Sequence, residues 1–402
     1  MLQIFRFARQ NTSLLLFGFL LTLFSGFGQT FFISLFVPSI QQYFQISDGF
    51  FSGLYALATV MSAATLSWVG KYIDMVRLPR FTIRVMLGLS VALIFISQSY
   101  YLPVLVLAIY MMRLFGQGLM THTSLTSMGK FFDADRGKAI SLAALGHPAG
   151  EAIFPILFVS LIALVGWRMS MLIASLMVFM FIPASLFLLF RNRGFSRLKH
   201  FLPSISKNPE ELKKARPLQF LKTKGFWILA PNNFASASIG TAFIFFQLKL
   251  GMTRGWSEAF MASSFVAFAI AGGTSSIVGG LLTDRFSAKS IYPFTLVPFM
   301  VGLILFLSVS EAWVYPAFLA GIGMTNGFSN TVKNAALAEI YGTKFLGSVR
   351  SLFITVMIFS TALGPVLFGI LLDANVSFQW LGLFSLGAMI LCTLNALRIY
   401  RL

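Results

Sequence analysis

Twelve apolar stretches, each about 20 residues long, recur between residues 12 and 397 of the chain, and about 20 helical residues are what crossing roughly 30 Å of hydrocarbon requires. Inside a bilayer no water satisfies the backbone. A single stretch can therefore persist there only as a helix that bonds its own N–H and C=O groups. The composition agrees: 57% of residues are apolar and 10% charged, against about 25% charged in a soluble domain. The first stretch follows Arg6 and Arg9 and runs through Phe24, Phe31 and Phe36 with no small-residue cleavage site, so it reads as a retained span.

Charge then orients the spans. With a cytoplasmic N-terminus, 25 of the 30 Lys and Arg residues fall on cytoplasmic loops and ends, three (Arg168, Lys249, Arg254) on the opposite side, and Arg113 and Lys333 within spans. That distribution satisfies the positive-inside rule and places both termini in the cytoplasm. The net charge of +18 sits at membrane edges, where anionic headgroups attract it, so lipid rather than nucleic acid is the expected partner. Cys392 is the one cysteine, which excludes intramolecular disulfides and Cys-based metal sites; no metal and no cofactor are expected.

The chain also repeats itself at an offset of 210 residues. Ser47-Asp48 returns as Ser257-Glu258, Gly70 and Asp74 as Gly280 and Asp284, and Gly137, Ser141 and Pro155 as Gly347, Ser351 and Pro365. These matches fall at corresponding helix starts and loops, the pattern of a duplicated bundle. The expected architecture is an all-α integral membrane protein of twelve transmembrane helices in two pseudo-symmetric six-helix bundles, residues 1–190 and 225–402. A basic cytoplasmic linker, 191–224, joins them; a surface helix over 210–220 and plain disorder both suit its composition. The remaining loops are short, leaving no room for an extramembrane catalytic domain.

Gly70-Lys-Tyr-Ile-Asp74-Met-Val-Arg77, its partner Gly280-Leu-Leu-Thr-Asp284-Arg285 and Arg113-Leu-Phe-Gly-Gln117-Gly resemble motifs of the major facilitator superfamily, over the whole chain. Met75 stands where the family's first-loop motif carries Arg, a residue that the second copy keeps as Arg285. Arg136-Gly-Lys-Ala with Gly166-Trp-Arg168 looks like the monocarboxylate-porter subgroup. The segment Gly146 to Pro155 matches the fifth-helix antiporter motif poorly, which counts against drug–proton antiport. The resemblance implies alternating access and a cytoplasmic gate at Gly70, Asp74, Gly280 and Asp284, with Arg77, Arg136 and Arg285 as partners. As simple helix terminators, the two aspartates would occupy the same positions.

Charge inside a span marks function by default. Of the twelve acidic residues, Glu151 alone is mid-span. Reflecting Arg113 about the turn near residue 132 puts the two at one depth, predicting an ion pair or a water-bridged contact. A static pair fixing two helices is the alternative reading. His147, one turn before Glu151, shares its face and makes the two a candidate proton relay; His122 lies on the opposite face from Arg113, where packing is its expected role. Gln117 continues the Arg113 face, Asn326, Asn330 and Lys333 form a stripe on the tenth span, Asn233 marks the seventh and Gln29 the first. The resemblance makes these four helices the lining of a central binding cavity, although interhelical glue would give similar stripes.

Two intramembrane cations against one acid favour an anionic ligand. The resulting expectation is a monomeric, multi-pass carrier of a bacterial inner membrane, moving a small organic acid with possible proton symport. An exporter of amphipathic compounds or drugs and a non-transporting membrane sensor are the other readings. An enzyme is not expected: phosphate-cradling, His-Glu-x-x-His and nucleophile-elbow motifs do not occur in the sequence.

Overall fold

A computed structural model describes residues 2–132, 135–191, 217–342 and 346–401. Most of the expected surface helix over 210–220 lies outside these residues, and Pro217–Lys222 forms one short 3-10 stretch. Nine helices among the described residues are long and apolar enough to cross a membrane singly, and a bent first pair is the tenth.

In chain order the helices are α1 (Thr12–Gly28 and Thr30–Phe44), α2 (Asp48–Asp74), α3 (Leu78–Ser97), α4 (Leu102–Phe131), α5 and α6 (the two arms, 136–165 and 167–191, of Arg136–Arg191), α7 (Lys224–Phe245), α8 (Glu258–Arg285), α9 (Ala288–Ser308), α10 (Val314–Tyr341), α11 (Leu346–Asp373) and α12 (Phe378–Arg401). Twelve spans result. Polar residues Asn326, Asn330, Lys333 and Asn334 dilute α10. The 56 residues of Arg136–Arg191 would reach about 84 Å as one rod. Gly166 prevents that with φ 77°, ψ 163°, a conformation open to glycine and costly for other residues.

Contacts prove the reversal. The α5 arm runs parallel to α1, with Thr22 Oγ1 donating to Ala143 O, the Phe27 and Phe154 rings 4.5 Å apart and Phe32 and Phe158 at 4.8 Å. The α6 arm runs antiparallel to α3, where Ser90 and Ser175 exchange hydroxyl-to-carbonyl bonds of 3.0 and 2.9 Å and Ser185 reaches Met86 Sδ at 3.6 Å.

By internal contacts the chain forms two compact units, residues 1–39 with 57–205, and residues 40–56 with 206–402. In the second, Pro231 removes a donor from α7, which leaves the carbonyl four residues earlier without its helical partner. Asn395 of α12 supplies it, donating Nδ2 to Trp227 O at 2.9 Å, while Tyr292 Oη donates to Leu229 O at 2.6 Å. The serines of the repeat do equal work in both copies: Ser47 Oγ accepts from Phe50 N and Ser257 Oγ from Phe260 N, each at 3.2 Å, satisfying an N–H that a helix start leaves open.

The three basic residues that depart from the charge bias have local explanations. Arg168 donates to Ser97 O and Ser99 O at the end of α3 and stacks on Trp167 and Tyr100 at 4.2 and 4.6 Å. Arg254 donates to Phe306 O at 3.1 Å and Val309 O at 3.5 Å at the end of α9 and lies 5.0 Å over the Phe306 ring. Each cation answers the negative end of a helix dipole. Lys249 is ion-paired with Asp48.

Candidate functional site

In the first unit the site grows from a broken helix. Gly26–Gly28 is a 3-10 turn, Gln29 is extended (φ −84°, ψ 157°), and the two parts of α1 meet at 46°. The first span is therefore present as a bent pair of helices. Opposite the break, α4 widens into π-helix over Met112–Met120, a distortion often found at functional positions. The backbones touch: a Cβ on Gly28 would lie 2.3 Å from Met112 O and 2.5 Å from Gln117 N.

Arg113, 2% exposed, reaches into this break and donates Nη1 to Gly28 O at 3.2 Å and Thr30 Oγ1 at 3.5 Å. Half-buried Gln29 and Gln117 flank it. Neither Gln side chain has a partner among the described residues.

Glu151 lies lower along α1. Its neighbour Gly150 abuts Leu23, with a Cβ position 3.2 Å from Leu23 O, whereas Arg113 is anchored at Gly28 and Thr30, five to seven residues further on. At 1.5 Å per residue that is about 7.5–10.5 Å, so the two side chains are not level. Ion pairs among the described residues of this unit are Lys130–Asp74 and Lys138–Asp135; an Arg113–Glu151 pair is not among them. Counting residues from the α4–α5 turn ignored the π-helical stretch and the break in α1, which shift the register. Glu151 is half-buried and unpartnered among the described residues. His147 Nδ1 lies 3.4 Å from Ser25 Oγ, and Ser25 commits its own proton to Thr22 O at 2.6 Å, so the hydroxyl accepts from the imidazole.

In the second unit a polar cluster forms where α7 meets α10 and α11. Lys333, 7% exposed, donates Nζ to Asn233 Oδ1 at 2.8 Å and Asn330 Oδ1 at 3.2 Å. Asn233 donates its amide to Phe353 O at 3.3 Å. No carboxylate pairs with Lys333 among the described residues. Asn326, one turn before Asn330, is half-buried.

The expected gate residues are all at helix ends. Asp74 pairs with Lys130, a partner that sequence reasoning did not name in place of Arg77, Arg136 or Arg285. Gly70 O lies 3.1 Å from His122 Nε2, which gives His122 a hydrogen bond that ties α4 to the end of α2. Asp284 is exposed, Gly280 faces open space and Arg285 lies 5.4 Å over Phe286.

Two acidic clusters escaped the sequence reading. Glu339 accepts from Ser287 Oγ at 2.7 Å, Ala288 N at 2.8 Å and Lys289 N at 3.1 Å, capping α9. Asp373 accepts from Asp48 N and Gly49 N, both at 3.0 Å, beside Asp48, which binds Lys249 and Gln41; Gln41, Asp48, Lys249 and Asp373 line an open surface pocket of about 380 Å³. The repeated Ser47-Asp48 pointed to the helix start, but nothing local connects it to a residue 325 positions away.

Comparison with known proteins agrees with this architecture. The chain matches the family described as the Major Facilitator Superfamily over residues 18–266 and 232–402. No curated protein sequence matches it. Among solved structures, a bacterial homologue of the human lysosomal transporter Spinster, inward-facing and unoccupied, is 16% identical, with a TM-score of 0.69 over 97% of this chain and 95% of its own. The nucleoside transporter NupG is 11% identical, with a TM-score of 0.73 over 98% of this chain and 99% of its own. At these identities the likeness is one of fold.

Proposed function

Because the chain belongs to the Major Facilitator Superfamily, a family of membrane transporters, we propose that it is a secondary active carrier of a small organic anion, coupled to protons through Glu151 and His147. Lys333 carries the reading. A lysine within a span is costly to insert, up to about 3 kcal/mol at the centre, and here the acceptors, Asn233 Oδ1 and Asn330 Oδ1, are both neutral. Two of the ammonium's three protons are used and its charge is not compensated, the condition for receiving an anion. Arg113 supplies a second buried cation in the other unit. Gln29, Gln117 and Asn326 offer neutral amides to the rest of the solute, while Glu151 is a carboxylate that can take a proton without breaking an ion pair. The gate role of Gly70, Asp74, Arg77, Arg136, Gly280, Asp284 and Arg285 is part of the same proposal, as are a monomeric state, cytoplasmic termini and a bacterial inner membrane.

The test is uptake of radiolabelled organic acids into proteoliposomes under an imposed pH gradient. Wild type should show saturable, gradient-driven flux, lost in Lys333→Met and insensitive to the gradient in Glu151→Gln. Absence of flux for every acid, from protein that remains folded, would reject the anion reading.

A further inference from the structure

Asn233 and Asn330 stood out in the sequence as ligand contacts, but each gives its amide oxygen to Lys333. The Asn233 amide is committed at both ends: Oδ1 receives Lys333 Nζ at 2.8 Å, and Nδ2 donates to Phe353 O at 3.3 Å. At 4% exposed it has no surface to offer a solute. Asn330 Oδ1 receives the same ammonium at 3.2 Å from the preceding turn of α10. Between them they fix the direction of the Lys333 stem from two helices, leaving one N–H.

The chemistry of the two acceptors matters as much as their position. A carboxylate at either place would have the same shape and would hold the ammonium more strongly, as a charge-assisted bond. It would also cancel the charge. Amide oxygens orient Lys333 without neutralising it, at the expense of leaving a cation in a poorly solvated place, where an opposite charge is favoured.

We propose that Asn233 and Asn330 are the residues that set the charge class of the solute: they are positioning residues whose neutrality keeps Lys333 available, and an aspartate at either position turns an anion site into one that rejects anions. The inference rests on the anion reading above and assigns its specificity to residues that need not touch the solute. Asn330 gives the cleaner test, because it is exposed and an added carboxylate there is not enclosed by the protein. Asn233→Asp additionally sets an oxygen against Phe353 O, so its folding is less secure.

The experiment measures equilibrium binding of radiolabelled acetate, pyruvate, benzoate and succinate to the purified full-length chain, for wild type, Lys333→Met, Asn330→Asp, Asn233→Asp and Asn330→Ala. The expected result is binding of at least one acid by wild type, loss in Lys333→Met, and a loss of about tenfold or more in Asn330→Asp, the scale of an added like charge beside a bound anion. Asn330→Ala, which removes an acceptor but adds no charge, should lose much less. Unchanged binding in Asn330→Asp, with Lys333→Met inactive, would overturn the charge-class proposal and leave the anion reading standing. An equal loss in Asn330→Ala and Asn330→Asp would also overturn it, since orientation alone would then explain both. If wild type binds none of the acids, the anion reading and this proposal fall together.

Discussion

One of the tightest helix contacts among the described residues offers a quantitative check on the fold. Where α8 crosses α10, Gly327 lies so close that a Cβ added there would sit 2.0 Å from Gly272 O and 2.5 Å from Ser275 Oγ. Ordinary contact begins near about 3.5 Å, so Gly327→Ala must force the backbones apart by about 1.5 Å. Overpacking of that kind costs about 1–3 kcal/mol. The separation also pulls on two interhelical bonds, Ser275 Oγ to Met324 O at 2.9 Å and Ser276 Oγ to Thr331 Oγ1 at 3.0 Å, each worth about 0.6 kcal/mol in a membrane. Alanine returns about 1 kcal/mol of helix propensity. The net expectation is a loss of about 2 kcal/mol. Gly273, on the same α8, has nothing within 4 Å of its Cβ position, so Gly273→Ala should keep the propensity gain and show no loss. Apparent melting temperature in detergent, read by size-exclusion chromatography of heated samples, gives the comparison. A Gly327→Ala variant as stable as Gly273→Ala would refute the close approach of α8 and α10.

Two further perturbations test the helix ends. The Glu339 carboxylate accepts from Ser287 Oγ, Ala288 N and Lys289 N at the start of α9. Glu339→Gln replaces one acceptor oxygen of this cap and should melt slightly below wild type, the difference being small because the group is largely exposed; equal melting would contradict the capping role. Arg254→Gln removes two bonds and a ring contact from the end of α9, for an expected loss of about 1–2 kcal/mol, with Arg254→Lys intermediate; equal melting of all three proteins would show that the contact contributes nothing.

The sequence by itself determined the element type, the number of spans and the residues with chemistry to offer. Length and apolarity suffice for the first two because a bilayer accepts so few backbone solutions. Arg113, Glu151 and Lys333 were conspicuous because charge is rare and costly in that solvent. The repeat was legible too, down to the matching serine caps of α2 and α8. What required the tertiary structure was everything that depends on relative register. The break at Gly28 and the π-helical stretch of α4 lie where two backbones meet, and they move Arg113 past Glu151 by a distance that counting from a turn cannot supply. The pairings of Lys130 with Asp74, Glu339 with the start of α9 and Asp373 with the start of α2 join residues tens to hundreds of positions apart, whose identity leaves no periodic mark. Likewise, the polar stripe on α10 showed which side chains share a face, but only packing decided that Asn233 and Asn330 spend their oxygens on Lys333, because hydrogen-bond direction is fixed by neighbours in space and not by spacing along the chain.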